Sequence, residues 1–139
     1  MNSNPIAIEA IDHVVIRVQN LRSMIGFYSE LLGCPIERRL DDIGLVQLRA
    51  GSALVDLVPV DSELGRLGGA APGVQGHNMD HLCFRLKNFD PVAISRHLSD
   101  AGFAPDEVVY RYGAQGQGPS IYVKDPEQNM VELKGAIER

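Results

Sequence analysis

The chain has 139 residues, of which 45% are hydrophobic and 22% charged, and its net charge is −5. That length holds one domain with a proper core and is too short for two conventional ones. The acidic balance leaves no basic stripe to neutralise phosphates, which argues against nucleic acid or an anionic membrane as partner.

The opening segment, MNSNPIAIEA, has neither a charged leader region nor a long apolar run, so no secretion signal is expected. Further on, apolar runs such as Ala53-Leu54-Val55 meet a charge within a few residues, so no bilayer span is expected. Only Cys34 and Cys83 are present, and without a secretion signal they read as free thiols of a cytoplasmic protein.

A repeat organises the rest of the chain. DHVVIRVQNL at 12–21 lies without a gap over DHLCFRLKNF at 80–89, 68 residues later. The matched pairs are Asp12/Asp80, His13/His81, Arg17/Arg85, Val18/Leu86, Asn20/Asn88 and Leu21/Phe89. Each copy then enters a helical pattern. In the first, over 22–33, Ile25, Tyr28, Leu31 and Leu32 recur at helical spacing and Gly33 stands at the stop. The second, over 90–102, starts on an Asp90 cap with Pro91 at the first helical position and ends on Gly102.

Short extended segments come after each helix, at 36–40, 45–49 and 53–59 in the first copy and at 107–111, 120–124 and 130–134 in the second. Val55-Asp56-Leu57 lies over Val131-Glu132-Leu133, now 76 residues apart, so the second copy has longer loops. Each half reads βαβββ, and the whole reads as a single α+β domain with modules at about 9–60 and 79–137. The Gly/Pro-rich stretch 61–78 between them is either a mobile flap over a site or a plain tether.

Strand alternation sorts the side chains. Val14, Ile16 and Val18 share one face and His13, Val15 and Arg17 the other, while Leu82, Phe84 and Leu86 lie opposite His81, Cys83 and Arg85. Asp56 and Glu132 lie opposite the apolar pairs Val55/Leu57 and Val131/Leu133. One face of every strand is therefore apolar, and the other carries imidazoles and carboxylates at matching places in both copies. Taken singly, each of these polar residues reads as an ordinary solvated strand position. If a pseudo-twofold axis relates the halves, His13, Asp56, His81 and Glu132 converge on one cleft, where an N₂O₂ set suits a divalent cation. His77 stands on loop rather than helix, and His97 reads as a helix surface residue. Arg17, Gln47 and Tyr122 are expected on the ligand face, and Arg111 is placed to meet a substrate carboxylate or phosphate.

These residues resemble a known pattern. DHVVIRVQNL with the adjoining FYSELLG, then DHLCFRL, then SIYVKDPEQNMVELKG are similar to the vicinal oxygen chelate superfamily of glyoxalase I, extradiol dioxygenases and bleomycin resistance proteins. The resemblance covers residues 11–135. It implies paired βαβββ modules forming an open cupped mixed sheet around one divalent metal ion (Ni, Co, Zn, Mn or Fe). It also implies His13, His81 and Glu132 as metal ligands, with Asp56 where glyoxalase I-like members place a second glutamate, and Glu132 as the general base. A glyoxalase I-like lyase or isomerase acting on a small oxygen-chelating substrate is the first functional expectation. The alternatives are an Fe(II) dioxygenase using His13, His81 and Glu132, a fosfomycin-type thiol transferase, and a non-catalytic antibiotic-binding protein. The resemblance further suggests a homodimer, with the cup either within one chain or shared between two.

Overall fold

The structure, a computed structural model, describes residues 4–136. The first module runs β1 (His13–Val18), α1 (Leu21–Ile25), a π-helical continuation (Gly26–Leu31), β2 (Ile36–Leu40), β3 (Leu45–Ala50) and β4 (Ala53–Pro59). The second runs β5 (Leu82–Arg85), α2 (Pro91–Asp100), β6 (Val109–Gly113), β7 (Gly116–Lys124) and β8 (Met130–Lys134). Each module is a four-stranded mixed sheet, ordered β1-β4-β3-β2 and β5-β8-β7-β6. In each, the first strand pairs parallel with the fourth and the others antiparallel. The two sheets thus repeat one topology, as the internal repeat predicts. No helix of the described residues is long and apolar enough to cross a membrane.

Three local readings need correction. The first helix is α-helical for only five residues and then widens into a π segment. There Leu32 N–H donates to the Phe27 carbonyl at 2.9 Å, and both Phe27 and Tyr28 are buried. Strand β6 begins at Val109 rather than 107, and β7 begins at Gly116 rather than 120, because β6 and β7 form one tight hairpin closed by Gly113 and Gly116. Strand β3 runs one residue further, to Ala50, which pairs with Ala53 across its own hairpin. The second helix starts where the sequence places it: the Asp90 side chain accepts from Ala93 N–H at 3.1 Å, and Pro91 comes next.

The apolar faces of both sheets enter one core. Ile16, Val18, Val46, Leu48, Val55 and Leu57 from the first sheet join Val123, Val131 and Leu133 from the second, with Met24, Phe27, Tyr28 and Leu98 from the helices between. Edge-on ring contacts of Phe27 with Phe103 and of Tyr28 with Phe84 cross the module boundary. The β7–β8 turn completes the lock. Glu127 accepts N–H bonds from Gln19 and Asn20, satisfying donors at the start of α1, and the buried Tyr28 hydroxyl donates to Asp125 at 2.7 Å. With both apolar faces turned to a shared interior, the polar faces of the two sheets look away from it.

The 61–78 stretch is hydrogen-bonded to the end of β1 and the residue after it. The Arg17 guanidinium donates to the carbonyls of Gly69 at 3.0 Å and Ala70 at 2.7 Å, and Gln19 donates to that of Pro72 at 3.2 Å. Asn78 then pairs with the Arg17 backbone in both directions, accepting from its N–H at 3.2 Å and donating to its carbonyl at 3.0 Å.

Candidate metal centre

Two half-sites of the same design lie on the polar faces. In the first module His13 opens β1 and Asp56 sits mid-β4, where the parallel register sets it beside Val15 on the same face. The His13 Nδ1 lies 2.7 Å from Asp12 Oδ2, which leaves Nε2 for another partner. This hydrogen bond, then the charge of Asp56, raises the His13 pKa above the ordinary imidazole value. Asp56 is 3% exposed, and the Gln47 amide donates to both its oxygens at 3.2 Å.

In the second module His81 immediately precedes β5, and its Nδ1 lies 2.6 Å from Asp80 Oδ1. Its Nε2 lies 3.2 Å from Glu132 Oε1. Glu132, mid-β8 and 5% exposed, accepts the Ser120 hydroxyl at 2.6 Å and the Tyr122 hydroxyl at 2.9 Å. Burial pushes its pKa up, but the two hydroxyl bonds and the nearby charges of His81 and Lys134 outweigh this, so the carboxyl titrates below its usual value. Cys83 stands beside Glu132 in the register, and burial together with that carboxylate pushes the thiol up to about 11. It is therefore a thiol, not a thiolate, at neutral pH.

The expected convergence of all four residues does not occur within one chain. Among the described residues no group of three or more His, Cys, Asp and Glu side chains lies close enough to hold a metal ion. The reason is the shared core: packing the apolar faces together separates the polar ones. A groove of about 980 Å³ between the modules is bordered by His81, Cys83 and Glu132, but His13 and Asp56 are not part of its lining.

The residues expected to touch substrate divide in two. Arg17 is committed to the carbonyls of the 61–78 stretch, so its guanidinium is not free in this arrangement. Gln47 and Tyr122 occupy the ligand face, yet their polar groups hold Asp56 and Glu132 respectively. Arg111 is exposed, its guanidinium donating to the Tyr110 carbonyl at 3.0 Å and standing 6.0 Å from the centre of the Tyr122 ring. Asp12, Asp80 and Ser120 join the half-sites without having been expected there. The first two had a visible signal, an Asp-His pair in both copies; Ser120 had only its parity with Tyr122 on β7.

The donor chemistry fits a divalent cation. Each imidazole has Nδ1 bound to a carboxylate, which fixes the ring and leaves Nε2 on the side away from that carboxylate, as histidine ligands of metals usually require. Each has a largely buried carboxylate on its own half-site. Two such halves together would supply the four donors that neither supplies alone.

Fold and half-sites define a duplicated βαβββ protein with a histidine and a carboxylate in each repeat. Residues 10–133 match the Glyoxalase/Bleomycin resistance protein/Dioxygenase superfamily, and the chain belongs to it. It is similar to the virulence protein STM3117 of Salmonella typhimurium, 27% identical over 131 residues that span 91% of this chain and 83% of the relative. The crystal structure of that protein superposes with a TM-score of 0.79 at 25% identity, covering 95% of this chain and all of the other. The glyoxalase domain-containing protein RDO1 of Mycosarcoma maydis is 31% identical over 131 residues, 92% of this chain and 69% of the relative. A lactoylglutathione lyase from Agrobacterium tumefaciens shares the fold, with a TM-score of 0.66 at 18% identity over 93% of this chain and 95% of that one.

Proposed function

We propose that the protein is a metal-dependent, glyoxalase-like lyase or isomerase acting on a small substrate with two adjacent oxygens. Its site forms between two copies, His13 and Asp56 coming from one and His81 and Glu132 from the other. The observation that carries this reading is the pair of matched half-sites, each a histidine and a buried carboxylate and each incomplete within the described residues of one chain. A divalent ion held there would supply Lewis-acid charge to the substrate oxygens. Glu132 would take the proton from the carbon beside them. The Ser120 and Tyr122 hydroxyls aim it, and its lowered pKa keeps it ionised and able to accept a proton at neutral pH. Superfamily membership and the likeness to a lactoylglutathione lyase support the class of chemistry.

One observation favours a second reading. Gln47 occupies both oxygens of Asp56, which would leave His13, His81 and Glu132 as the two-His, one-carboxylate set of an Fe(II) oxygenase.

The test is complementation between double variants, His13→Ala/Asp56→Ala and His81→Ala/Glu132→Ala, each purified, then mixed, unfolded and refolded together. If the site is shared, neither variant alone retains metal, but a mixed dimer carries one intact site. The mixture should then bind about a quarter equivalent per chain at random pairing. Elemental analysis showing no metal in the mixture, with a full equivalent in the unmodified protein, would rule out the shared site; iron as the native metal would favour the oxygenase.

A further inference from the structure

We propose that the Glu132 half-site includes an anion subsite centred on Arg111, so that the substrate carries a carboxylate- or phosphonate-type oxyanion besides its chelating oxygen pair. This rests on the functional reading above for its place in the reaction, but on the charge of one sheet face for its existence.

Registers β5–β8, β8–β7 and β7–β6 put Cys83, Glu132 and Tyr122 on one face, together with Arg85, Lys134, Ser120 and Arg111. Continuing the alternation along the same strands, that face carries four cations, Arg85, Arg111, Lys124 and Lys134, and a single carboxylate, Glu132. The chain as a whole has a net charge of −5, so positive charge is concentrated here against the general balance. No Asp or Glu among the described residues forms an ion pair with Arg85 or Arg111.

Arg111 is also held in place. Lys134 is 6% exposed, and its ammonium donates to the carbonyls of Arg111 and Gly118, tying β6 and β7 to the strand that bears Glu132. Gly113 makes room for that side chain: a Cβ there would stand 2.8 Å from Lys134 Cε. One guanidinium nitrogen donates to the Tyr110 carbonyl at 3.0 Å, the group lies over the Tyr122 ring, and the Tyr122 hydroxyl is itself bound to Glu132. One ring and one hydrogen bond therefore separate a guanidinium that has no carboxylate partner from the proposed base. A planar guanidinium so placed suits two-pronged binding of an oxyanion, and the spacing calls for a linker of a few atoms between that group and the reacting carbon.

The experiment has two arms. In the first, inorganic phosphate is titrated into the metal-free protein and monitored by amide NMR. Shifts along β6 and β7 that vanish in Arg111→Gln and partly persist in Arg111→Lys support the subsite; absent shifts, or shifts unchanged in Arg111→Gln, overturn it. In the second, the zinc-loaded protein is titrated calorimetrically with acetohydroxamate and with phosphonoacetohydroxamate, which share a chelating group and differ in an anionic tail. The anionic probe should bind about tenfold tighter, and Arg111→Gln should erase that difference while leaving acetohydroxamate unchanged. Equal binding of both probes by the unmodified protein overturns the proposal. Failure of both probes, with the phosphate shifts intact, refutes the metal reading and leaves the anion subsite standing.

Discussion

The two half-sites began as copies, and their supports have diverged. Asp56 is held by one amide, with both contacts at 3.2 Å, and its strand neighbour on β1 is Val15. Glu132 is gripped by two hydroxyls at 2.6 and 2.9 Å, faces His81, and has the charge of a buried lysine close by. The longer carboxylate also reaches further from its strand. Position in the repeat thus preserves the donor atoms, while the surrounding side chains decide how firmly each is presented. By that measure the second module is the stronger half of the site.

The largest test of this difference is metal affinity. Glu132→Gln should weaken binding by on the order of 100-fold or more and Asp56→Asn by about tenfold, measured by chelator competition. Equal losses would break the asymmetry.

Next comes pH. The Asp12 hydrogen bond and the Asp56 charge raise the His13 pKa, so the proton is held to higher pH than on an ordinary imidazole. A metal needs the neutral ring, so affinity should fall as pH drops through that raised value, by about tenfold per unit for one displaced proton. Asp12→Asn should move the fall to lower pH; an unmoved profile would mean that His13 does not compete for the ion.

The smallest effect lies in the hairpin turns. The β3–β4 turn has Gly51 at φ +61, whereas the β7–β8 turn has Gln128 at φ +69, a conformation that costs a side chain strain. Gln128→Gly should stabilise by about 1 kcal/mol and Gly51→Ala destabilise by a similar amount in urea titrations. If Gln128→Gly is neutral, the two turns are not equivalent in energy.

Much of this was legible because duplication writes itself twice. The Asp-His pair, the alternation of apolar and polar residues and the final carboxylate all recur, so topology, strand faces and the four candidate ligands could be read from the chain. How the modules dock could not. That depends on Tyr28 meeting Asp125 and on Glu127 meeting the start of α1, contacts between residues about 100 apart, for which no spacing rule exists. Arg17 illustrates the same limit. Alternation put it on the correct face, but its guanidinium was claimed by backbone carbonyls of the intervening stretch, and carbonyls leave no mark on a sequence. The π segment was hidden too, since Phe27 and Tyr28 fit a helical stripe equally well before their hydrogen bonds are known.

The amide of Asn78 has a further consequence. By pairing with Arg17 in both directions it imitates a neighbouring strand at one end of the free edge of β1 and stops that end from recruiting another chain. The unplugged stretch is the other end, around Val15 and His13, where Val15 is 52% exposed. Any polypeptide that comes to lie along this edge is thus steered away from Arg17 and toward the histidine, so a single asparagine helps choose where on the sheet a neighbour can settle.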